Sequence, residues 1–358
     1  MSRPHVAAVA EDAWNRQRAA LMRRRGWGTR VLAYTGYGST DTLRILGRVL
    51  MTRRPYQPAS AGAHASWTEL RNADLERRGW RSFFTTPAIN EPFTVVIGDR
   101  EISARSDRSG IIDLTIADHG LEPGWHHLLV RSPRAADATA TVTIVGPEQT
   151  FGIVSDIDDT VITTTMPRPM IAAYNTFFRH EGTRHAVPGM ATMYRALIEQ
   201  HPGAPIVYVS TGAWNAVPQL TRFLRRSGFP LGPLLMTDWG PTNTGWFRSG
   251  QDHKRACLHR LVRDLPHIRW VLIGDDGQHD PTIYGEFAEQ RPDRVRAIGI
   301  RMLSAAEQML SHFTPIAVDD FEQHIGDEMP VVRANDGYEM RPLLGDALTS
   351  REAARPQP

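Results

Sequence analysis

The sequence has little cysteine, no long apolar run and almost no net charge. Its 358 residues include a single cysteine, Cys257, which excludes an internal disulfide framework and fits a reducing compartment. No apolar run is long enough to cross a bilayer, and the first residues lack the apolar core of a signal peptide. These absences predict a cytoplasmic protein. Peripheral contact with a membrane surface stays open, because it needs no spanning segment.

The charge balance argues against nucleic acid as a partner. The formal net charge is +2, so the chain as a whole has no strong positive field. A basic stretch does occur in the predicted N-terminal helix, from about Pro4 to Arg25, where Trp14 and Trp27 bracket several arginines. Such a helix can lie on anionic lipid, or it can pack on the protein with its arginines in water. We favour packing, because alanine-rich faces insert weakly into membranes.

Composition and length predict a globular protein of two main domains. Hydrophobic residues make up 41% and charged residues 22%, as in soluble globular proteins. A basic N-terminal helix over residues 1–30 precedes short β-branched segments at 31–148, which predict a β-sandwich-like domain. Two early strands, Val31–Tyr34 and Ile45–Leu50, are expected to be joined by a turn at Gly36-Tyr37-Gly38.

The second half of the chain has a different pattern. Residues 149–326 alternate strand and helix, which predicts an α/β domain with a parallel sheet and right-handed crossovers. A small helical insertion is expected from Met166 to His180. Residues 327–358 are rich in proline and charge, and we expect them to form a C-terminal tail.

A dense group of carboxylates follows the first strand of the α/β region. Phe151 to Asp156 is an apolar run typical of a strand buried on both faces, and Asp158 comes directly after it. The carboxyl end of such a strand is where open α/β sheets bind ligands. Crowded carboxylates need a cation, and Mg²⁺ suits an all-oxygen site. The hypothesis is that Asp156 is a nucleophile and Asp158 a general acid/base in metal-assisted phosphoryl transfer. The alternative is a solvated acidic turn.

Two later strands end in groups that suit the same chemistry. Ser210 and Thr211 follow the second predicted strand, Asp275 follows the fourth, and Asp280 comes shortly after it. Lys254 opens a helix between these two strands. Taken singly, each has an ordinary explanation as a cap, a turn or a surface residue. Their joint occurrence at successive strand ends favours a shared site.

These residues, in this order, resemble the haloacid-dehalogenase-like phosphatase superfamily from Phe151 to about Met302. The resemblance implies a Rossmann-like parallel sheet with a small helical cap insertion. It also implies roles for the individual residues: Asp156 as nucleophile, Asp158 as acid/base, Ser210 or Thr211 as the phosphate-binding hydroxyl, Lys254 as the basic residue, and Asp275 and Asp280 as acidic positions. Mg²⁺ would be held by Asp156, Asp275, Asp280 and the Asp158 main-chain carbonyl. Thr160 is placed with the substrate-binding residues, although it is also explained as a β-branched turn residue.

Several segments also look like the actin-patch-associated phosphatidate phosphatase family and its bacterial relatives. The matching segments are Phe151 to Thr160, Tyr208-Val209-Ser210 with Trp214, Ile273 to Tyr284, Gly36-Tyr37-Gly38 and Gly47-Arg48-Val49. The resemblance implies Mg²⁺-dependent dephosphorylation of phosphatidate to diacylglycerol. Two alternatives remain. One is a phosphomonoesterase for a soluble metabolite, and the other is a β-sandwich adaptor with an inactive phosphatase fold. The adaptor is less favoured because Asp156, Asp158 and Lys254 are all present.

Overall fold

The computed structural model describes most of the chain and divides it into two units. The described residues are 17, 19–52, 86–163, 185–237, 250–277, 279–304, 307 and 329–353. Contacts between Cα atoms assign Met1–Gly146, Ala213–Pro218 and Asp238–Arg248 to unit 1, and the remainder to unit 2. The helical insertion predicted for Met166 to His180 lies outside the described residues, as does most of the predicted N-terminal helix.

Seven strands in the described part of unit 1 are hydrogen-bonded into one sheet. They are β1 (Gly28–Ser39), β2 (Thr42–Thr52), β3 (Pro92–Ile97), β4 (Arg100–Arg105), β5 (Ile111–Ala117), β6 (Gly124–Arg131) and β7 (Ala138–Val145). The strand order is β4-β3-β6-β7-β1-β2-β5, and every pairing is antiparallel except that of β1 with β7. Alternate apolar residues of these strands share one hydrophobic core. The two-sheet arrangement of a sandwich stays a prediction.

The glycines of Gly36-Tyr37-Gly38 do not form the predicted turn. They lie inside β1, and the turn between β1 and β2 falls at Thr40 and Asp41 instead. Side chains at Gly36 and Gly38 would collide with main-chain carbonyl oxygens of β2, so the glycines permit close strand approach. The Ser39 hydroxyl accepts hydrogen bonds from two backbone N–H groups of the real turn.

The described end of the N-terminal helix packs on unit 1. Ala19 is buried, and Met22 and Trp27 lie against the core. The Arg23 Nη2 atom lies 2.7 Å from the Glu91 Oε2 atom. The described part of this helix therefore packs on the protein, which is the alternative that we favoured from the sequence.

Unit 2 is built on a parallel sheet, as the alternating pattern predicts. Its strands are β8 (Phe151–Asp156), β9 (Ile162–Thr163), β10 (His185–Ala186), β11 (Ile206–Ala213), β12 (Leu234–Thr237), β13 (Arg269–Asp275), β14 (Val295–Arg301) and β15 (Val331–Ala334). Six of them form a sheet of order β12-β11-β8-β13-β14-β15, while β9 and β10 pair separately. The pairs β11–β8, β8–β13, β13–β14 and β14–β15 are parallel.

Five described helices accompany these strands. They are α1 (Met190–Gln200), α2 (Val217–Arg226), α3 (Gly250–Asp264), α4 (Asp280–Gln290) and α5 (Gly337–Ala353). Each connects or follows strands of the parallel sheet, as in an α/β fold. Within the described ranges, no helix has the length and apolar character needed to cross a membrane.

The register of the sheet places three strand ends side by side. β8 lies between β11 and β13, with Asp156 opposite Val209 and Ser155 opposite Ile273. All six residues of β8 are buried, which explains its continuously apolar sequence. Because the strands are parallel, their carboxyl ends meet at one edge of the sheet, where α/β proteins bind ligands.

The described residues of the predicted C-terminal tail, 329–353, contribute a strand and a helix to unit 2, which corrects that expectation. β15 pairs with β14 at the edge of the parallel sheet, in register from Ile298 opposite Val331. In α5, Met340 and Leu344 are fully buried. Proline and charge content favoured a tail, but the short β-branched run and the apolar positions of the helix provide enough burial to order this segment.

Candidate active site

Three of the predicted acidic residues form one buried cluster. Asp156 is the last residue of β8, Asp275 is the last of β13, and Asp280 is the first of α4. Each offers a carboxylate oxygen, and these atoms all lie within 4.8 Å of one another. All three residues are buried, with at most 1% of their surface exposed. The predicted convergence of strand ends therefore brings these carboxylates together.

Lys254 lies within this cluster. Its Nζ atom is 2.6 Å from the Asp156 Oδ1 atom and 2.5 Å from the Asp280 Oδ1 atom. α3 positions this side chain, and it is buried. Lys254 is also the only lysine in the sequence, whose other strongly basic side chains are all arginine. A compact ammonium with three donors suits a narrow position between two carboxylates, whereas the planar guanidinium of arginine does not.

The cluster has more negative than positive groups. Burial raises the pKa of Asp156 well above its ordinary value, and Asp280 and Asp158 add to this although Lys254 opposes it. Burial, Asp280 and Asp156 likewise raise the pKa of Asp275. Burial alone would lower the pKa of Lys254, but the neighbouring carboxylates raise it, so Lys254 stays charged. Without a further cation, Asp156 and Asp275 therefore resist ionisation.

One oxygen of each carboxylate has no partner within the described part of the chain. The Oδ2 atoms of Asp156, Asp275 and Asp280 are buried and lack hydrogen bonds there, while the Oδ1 atoms contact Lys254 or backbone. Buried polar atoms without partners are costly. Three such oxygens in one cluster match the ligand set of a hard divalent cation.

Asp158 and Ser210 form a second pair beside the cluster. The Ser210 hydroxyl donates to the Asp158 Oδ2 atom at 3.1 Å and accepts the Gly212 N–H at 3.0 Å. Asp158 is partly exposed and is not among the three clustered carboxylates. Thr211 is half-buried, and its side chain lies close to Gly250. The Ser210 hydroxyl therefore contacts Asp158, and the choice between Ser210 and Thr211 as the phosphate-binding hydroxyl stays a prediction.

The loop after β8 has a constrained backbone. Asp159 adopts a positive φ of 60°, and its N–H donates to the Ile162 carbonyl at 2.8 Å. Only a small share of non-glycine residues adopt this conformation, so tertiary contacts must hold it. Thr160 is fully buried, and its hydroxyl has no hydrogen-bond partner among the residues the structure describes. Its substrate-binding role stays a prediction.

Sequence reasoning missed Arg301, which holds this loop. Arg301 ends β14 and is buried. Its guanidinium donates to the Asp159 carbonyl at 2.6 Å, to the Asn335 carbonyl at 3.1 Å and to the Glu307 carboxylate at 2.7 Å. The sequence did contain a signal for Arg301. It is a charged residue that ends a buried apolar strand, at the same edge of the sheet as the site. Arg301 is a positioning residue, because its guanidinium contacts the loop at Asp159 and the segments of Asn335 and Glu307, and none of these is a member of the carboxylate cluster.

Gly274 allows Asp280 to approach β13, and we expect Gly274→Ala to disturb the cluster. An added Cβ would lie 2.5 Å from the Asp280 Oδ2 atom and 2.8 Å from the Tyr284 ring. The crowding should lower the free energy of unfolding by about 1–3 kcal/mol. Urea unfolding at equilibrium measures this change. The matched control is Gly345→Ala in α5, where no atom lies within 4 Å and a gain of about 0.5–1 kcal/mol is expected. Equal changes in the free energy of unfolding for Gly274→Ala and Gly345→Ala would contradict the prediction that crowding occurs at Gly274.

A known family model matches the part of the sequence that contains the site. Residues 151–302 match the family model described as the catalytic domain of phosphatidate phosphatase APP1. The matched region includes Asp156, Ser210, Lys254 and Asp280. It covers less than half of the chain.

Two fungal proteins are similar over the same part of the chain. Phosphatidate phosphatase APP1 of Saccharomyces cerevisiae is 27% identical over 157 residues, which is 43% of this chain and 26% of that protein. An uncharacterized protein of Schizosaccharomyces pombe is 28% identical over 153 residues, 42% of this chain and 25% of that protein. The alignments thus span about a quarter of the length of these relatives.

The solved structures add no argument about the fold. A carbohydrate acetylesterase from Xanthomonas citri aligns with 78% of this chain and 70% of its own, at 10% identity and a TM-score of 0.26. That score is too low to indicate a shared fold. The finding that bears on function is the sequence match: the segment that brings the carboxylates and Lys254 together is similar to the catalytic domain of a phosphatidate phosphatase family.

Proposed function

We propose that unit 2 is a Mg²⁺-dependent phosphatase that hydrolyses phosphatidate to diacylglycerol and phosphate. The observation that carries the proposal is the buried group of Asp156, Asp275 and Asp280 around Lys254, at the carboxyl edge of a parallel sheet. The match of residues 151–302 to a phosphatidate phosphatase catalytic domain supports the substrate class. We also assign unit 2 to the haloacid-dehalogenase-like superfamily, on the order of its motifs along the strands.

The residues present fit a bound Mg²⁺. Asp156, Asp275 and Asp280 each have a buried oxygen with no hydrogen-bond partner among the described residues, and carboxylate oxygens are the ligands that Mg²⁺ prefers. These three residues would hold the ion, with the main chain of Asp158 close by in sequence. When bound, a divalent cation supplies positive charge that draws an anionic phosphate towards an anionic nucleophile.

Asp156 is the nucleophile in this proposal. Lys254 binds its Oδ1 atom, so the carboxylate is held in one orientation before substrate arrives. A carboxylate oxygen attacks phosphorus, the bond from phosphorus to the lipid oxygen breaks, and an aspartyl-phosphate forms. This divides one difficult hydrolysis into two easier steps.

Asp158 transfers the protons, and Ser210 orients it. In its protonated form, Asp158 gives its proton to the leaving diacylglycerol oxygen. It then accepts a proton from water as that water attacks the aspartyl-phosphate and releases phosphate. The hydrogen bond between the Ser210 hydroxyl and Asp158 holds the carboxyl group in place. Lys254 would also donate to the phosphoryl oxygens, where charge develops in the transition state.

Phosphate release tests the proposed function. Purified protein with Mg²⁺ should release phosphate from phosphatidate in mixed micelles much faster than from glycerol 3-phosphate or p-nitrophenyl phosphate. Chelation by EDTA should abolish this release, and added Mg²⁺ should restore it, because the carboxylate cluster needs a counterion.

The control for this assay is Asp293→Asn. Asp293 is a surface carboxylate of unit 2 with a side chain 55% exposed, so its replacement should leave turnover unchanged. Faster turnover of the soluble esters would replace phosphatidate with a soluble metabolite as the substrate. No turnover of any phosphoester would contradict the enzyme assignment and favour a binding protein.

A further inference from the structure

Unit 1 has a cavity of about 410 Å³ at the end of its N-terminal helix. Its walls include Arg23, Arg105, Arg134 and Glu91, with apolar atoms of Ala19 and Pro92. All of these residues belong to unit 1 and none takes part in the site described above. A cavity of this volume accommodates a small molecule.

A buried acid and an arginine form the inner wall. Glu91 is 1% exposed, and its Oε2 atom accepts a hydrogen bond from the Arg23 guanidinium at 2.7 Å. The Glu91 Oε1 atom and the Arg23 Nε atom are also buried, but neither has a hydrogen-bond partner among the described residues. The wall therefore has one acceptor and one donor that nothing in the described chain satisfies.

Two further arginines form the outer wall. Arg105 donates one hydrogen bond to the Asn90 carbonyl at 2.9 Å, and the remaining donors of its guanidinium are uncommitted within the described chain. Arg134 is exposed, and its side chain has no partner in the residues that the structure describes. Three guanidinium groups against one carboxylate leave the cavity with a net charge of +2.

We propose that this cavity binds a phosphate monoester with an adjacent hydroxyl group. Arginine guanidinium groups have planar donor pairs that match phosphate oxygens, so Arg105 and Arg134 would bind the phosphate. The Glu91 Oε1 atom, which has no partner in the described part of the chain, would accept a hydrogen bond from the hydroxyl. The inference does not rest on the proposed catalytic function, since it concerns a different unit. The same chemistry occurs in a lipid headgroup and in a soluble phosphate ester.

Hydrogen exchange tests where on the protein a soluble phosphate ester binds. Glycerol 3-phosphate is added to the full chain in EDTA, where the proposed phosphatase reaction cannot occur, and deuterium uptake is followed by mass spectrometry. We expect slower exchange in peptides covering residues 19–27, 86–92, 105 and 134. Arg134→Ala should weaken this effect about tenfold or more in ligand concentration, because a charge-assisted hydrogen bond is lost.

Arg100→Ala is the matched control. Arg100 is an exposed arginine on β4, the strand that also carries Arg105 of the cavity. The two arginines lie at opposite ends of that strand, since Arg105 is opposite Pro92 and Arg100 is opposite Ile97. The two positions on β4 are about 17 Å apart. Arg100→Ala should leave glycerol 3-phosphate binding at the cavity unchanged.

Vesicles provide the second arm of the experiment. The protein, again in EDTA, is sedimented with phosphatidylcholine vesicles that contain, at equal negative charge, either phosphatidylglycerol or 1-acylglycerol 3-phosphate, whose second glycerol hydroxyl is free. If sedimentation specific for 1-acylglycerol 3-phosphate is lost in Arg134→Ala, and glycerol 3-phosphate gives little response, the site binds a lipid headgroup. Binding of the soluble ester alone would assign it to a soluble phosphate.

The proposal fails if neither ligand protects the cavity peptides, or if Arg134→Ala and Arg100→Ala behave alike. Repeating both arms in Asp156→Asn separates this site from the catalytic one. Cavity binding should persist in that variant, whether or not the chain proves to be a phosphatase. Loss of cavity binding in Asp156→Asn would also contradict the proposal.

Discussion

Replacing Asp156 with asparagine is expected to abolish phosphate release and to stabilise the metal-free protein. Loss of the nucleophile should reduce turnover by at least about a thousandfold, since an amide cannot form the acyl-phosphate. The opposite effect on stability follows from the charge of the cluster. Asp156, Asp275 and Asp280 are buried around a single ammonium, so removal of one acid relieves repulsion.

The stabilising effect should be modest because two features limit it. Lys254 keeps Asp280 as a partner, and the asparagine carbonyl can still accept a hydrogen bond from Lys254. In addition, the pKa of Asp156 is raised, so this carboxyl group takes up protons more readily in the wild-type protein, and its protonation already removes part of the repulsion. We therefore expect a gain of about 1–2 kcal/mol in the free energy of unfolding.

Turnover and urea unfolding in EDTA, measured on the same preparation, test both halves of this prediction. Asp293→Asn is the control and should leave both unchanged, because it removes an exposed carboxylate. A variant with full turnover would exclude Asp156 as the nucleophile. A variant that loses both turnover and stability would contradict the repulsive character of the cluster.

Replacing Lys254 with methionine should have the largest effect on stability. The substitution keeps an unbranched apolar stem but leaves three buried carboxylates without a positive partner. Breaking a buried ion pair in this way typically costs about 3–5 kcal/mol. Phosphate release should also fall by about a hundredfold or more, because a donor to the transition state is lost. Added Mg²⁺ should restore much of the stability but not the activity.

The variant Lys254→Arg separates the effect of the positive charge on stability and activity from the effect of the shape of the charged group. It should lose less stability than Lys254→Met, because the positive charge is kept. It should still lose most of its activity, because a planar guanidinium cannot occupy the position where one ammonium lies within 2.6 Å of two carboxylates. Thermal unfolding in EDTA and in Mg²⁺, together with phosphate release, measures both effects. Wild-type activity in Lys254→Arg would show that only the charge matters.

The site was predictable because each of its residues adjoins a regular element. Apolar runs identify the strands, and parallel strands place their carboxyl ends together, so Asp156, Ser210 and Asp275 converge. A second signal is that Lys254 is the single lysine of an arginine-rich sequence. Its pairing with both Asp156 and Asp280 depends on where α3 and α4 lie, and no local pattern gives that placement.

Other features depend on contacts between distant segments, and sequence patterns did not reveal them. Composition favoured a tail after residue 327, whereas the register of β15 on β14 decides its place in the sheet. Gly36 and Gly38 are typical of a turn, but their role is to allow close approach of β2. The support of the loop by Arg301 and the cavity around Glu91 likewise join residues far apart in the chain.

The single lysine provides the most direct measurement of the metal site. Protein labelled with ¹³C and ¹⁵N in lysine alone should give one side-chain ammonium signal, from the Lys254 Nζ atom, in a heteronuclear NMR spectrum. Titration with Mg²⁺ should shift this signal in a saturable manner in the wild type and in Asp293→Asn, and the saturable shift should be lost in Asp275→Asn. A Lys254 signal that does not respond to Mg²⁺, or that responds equally in Asp275→Asn, would contradict a divalent cation held by Asp156, Asp275 and Asp280.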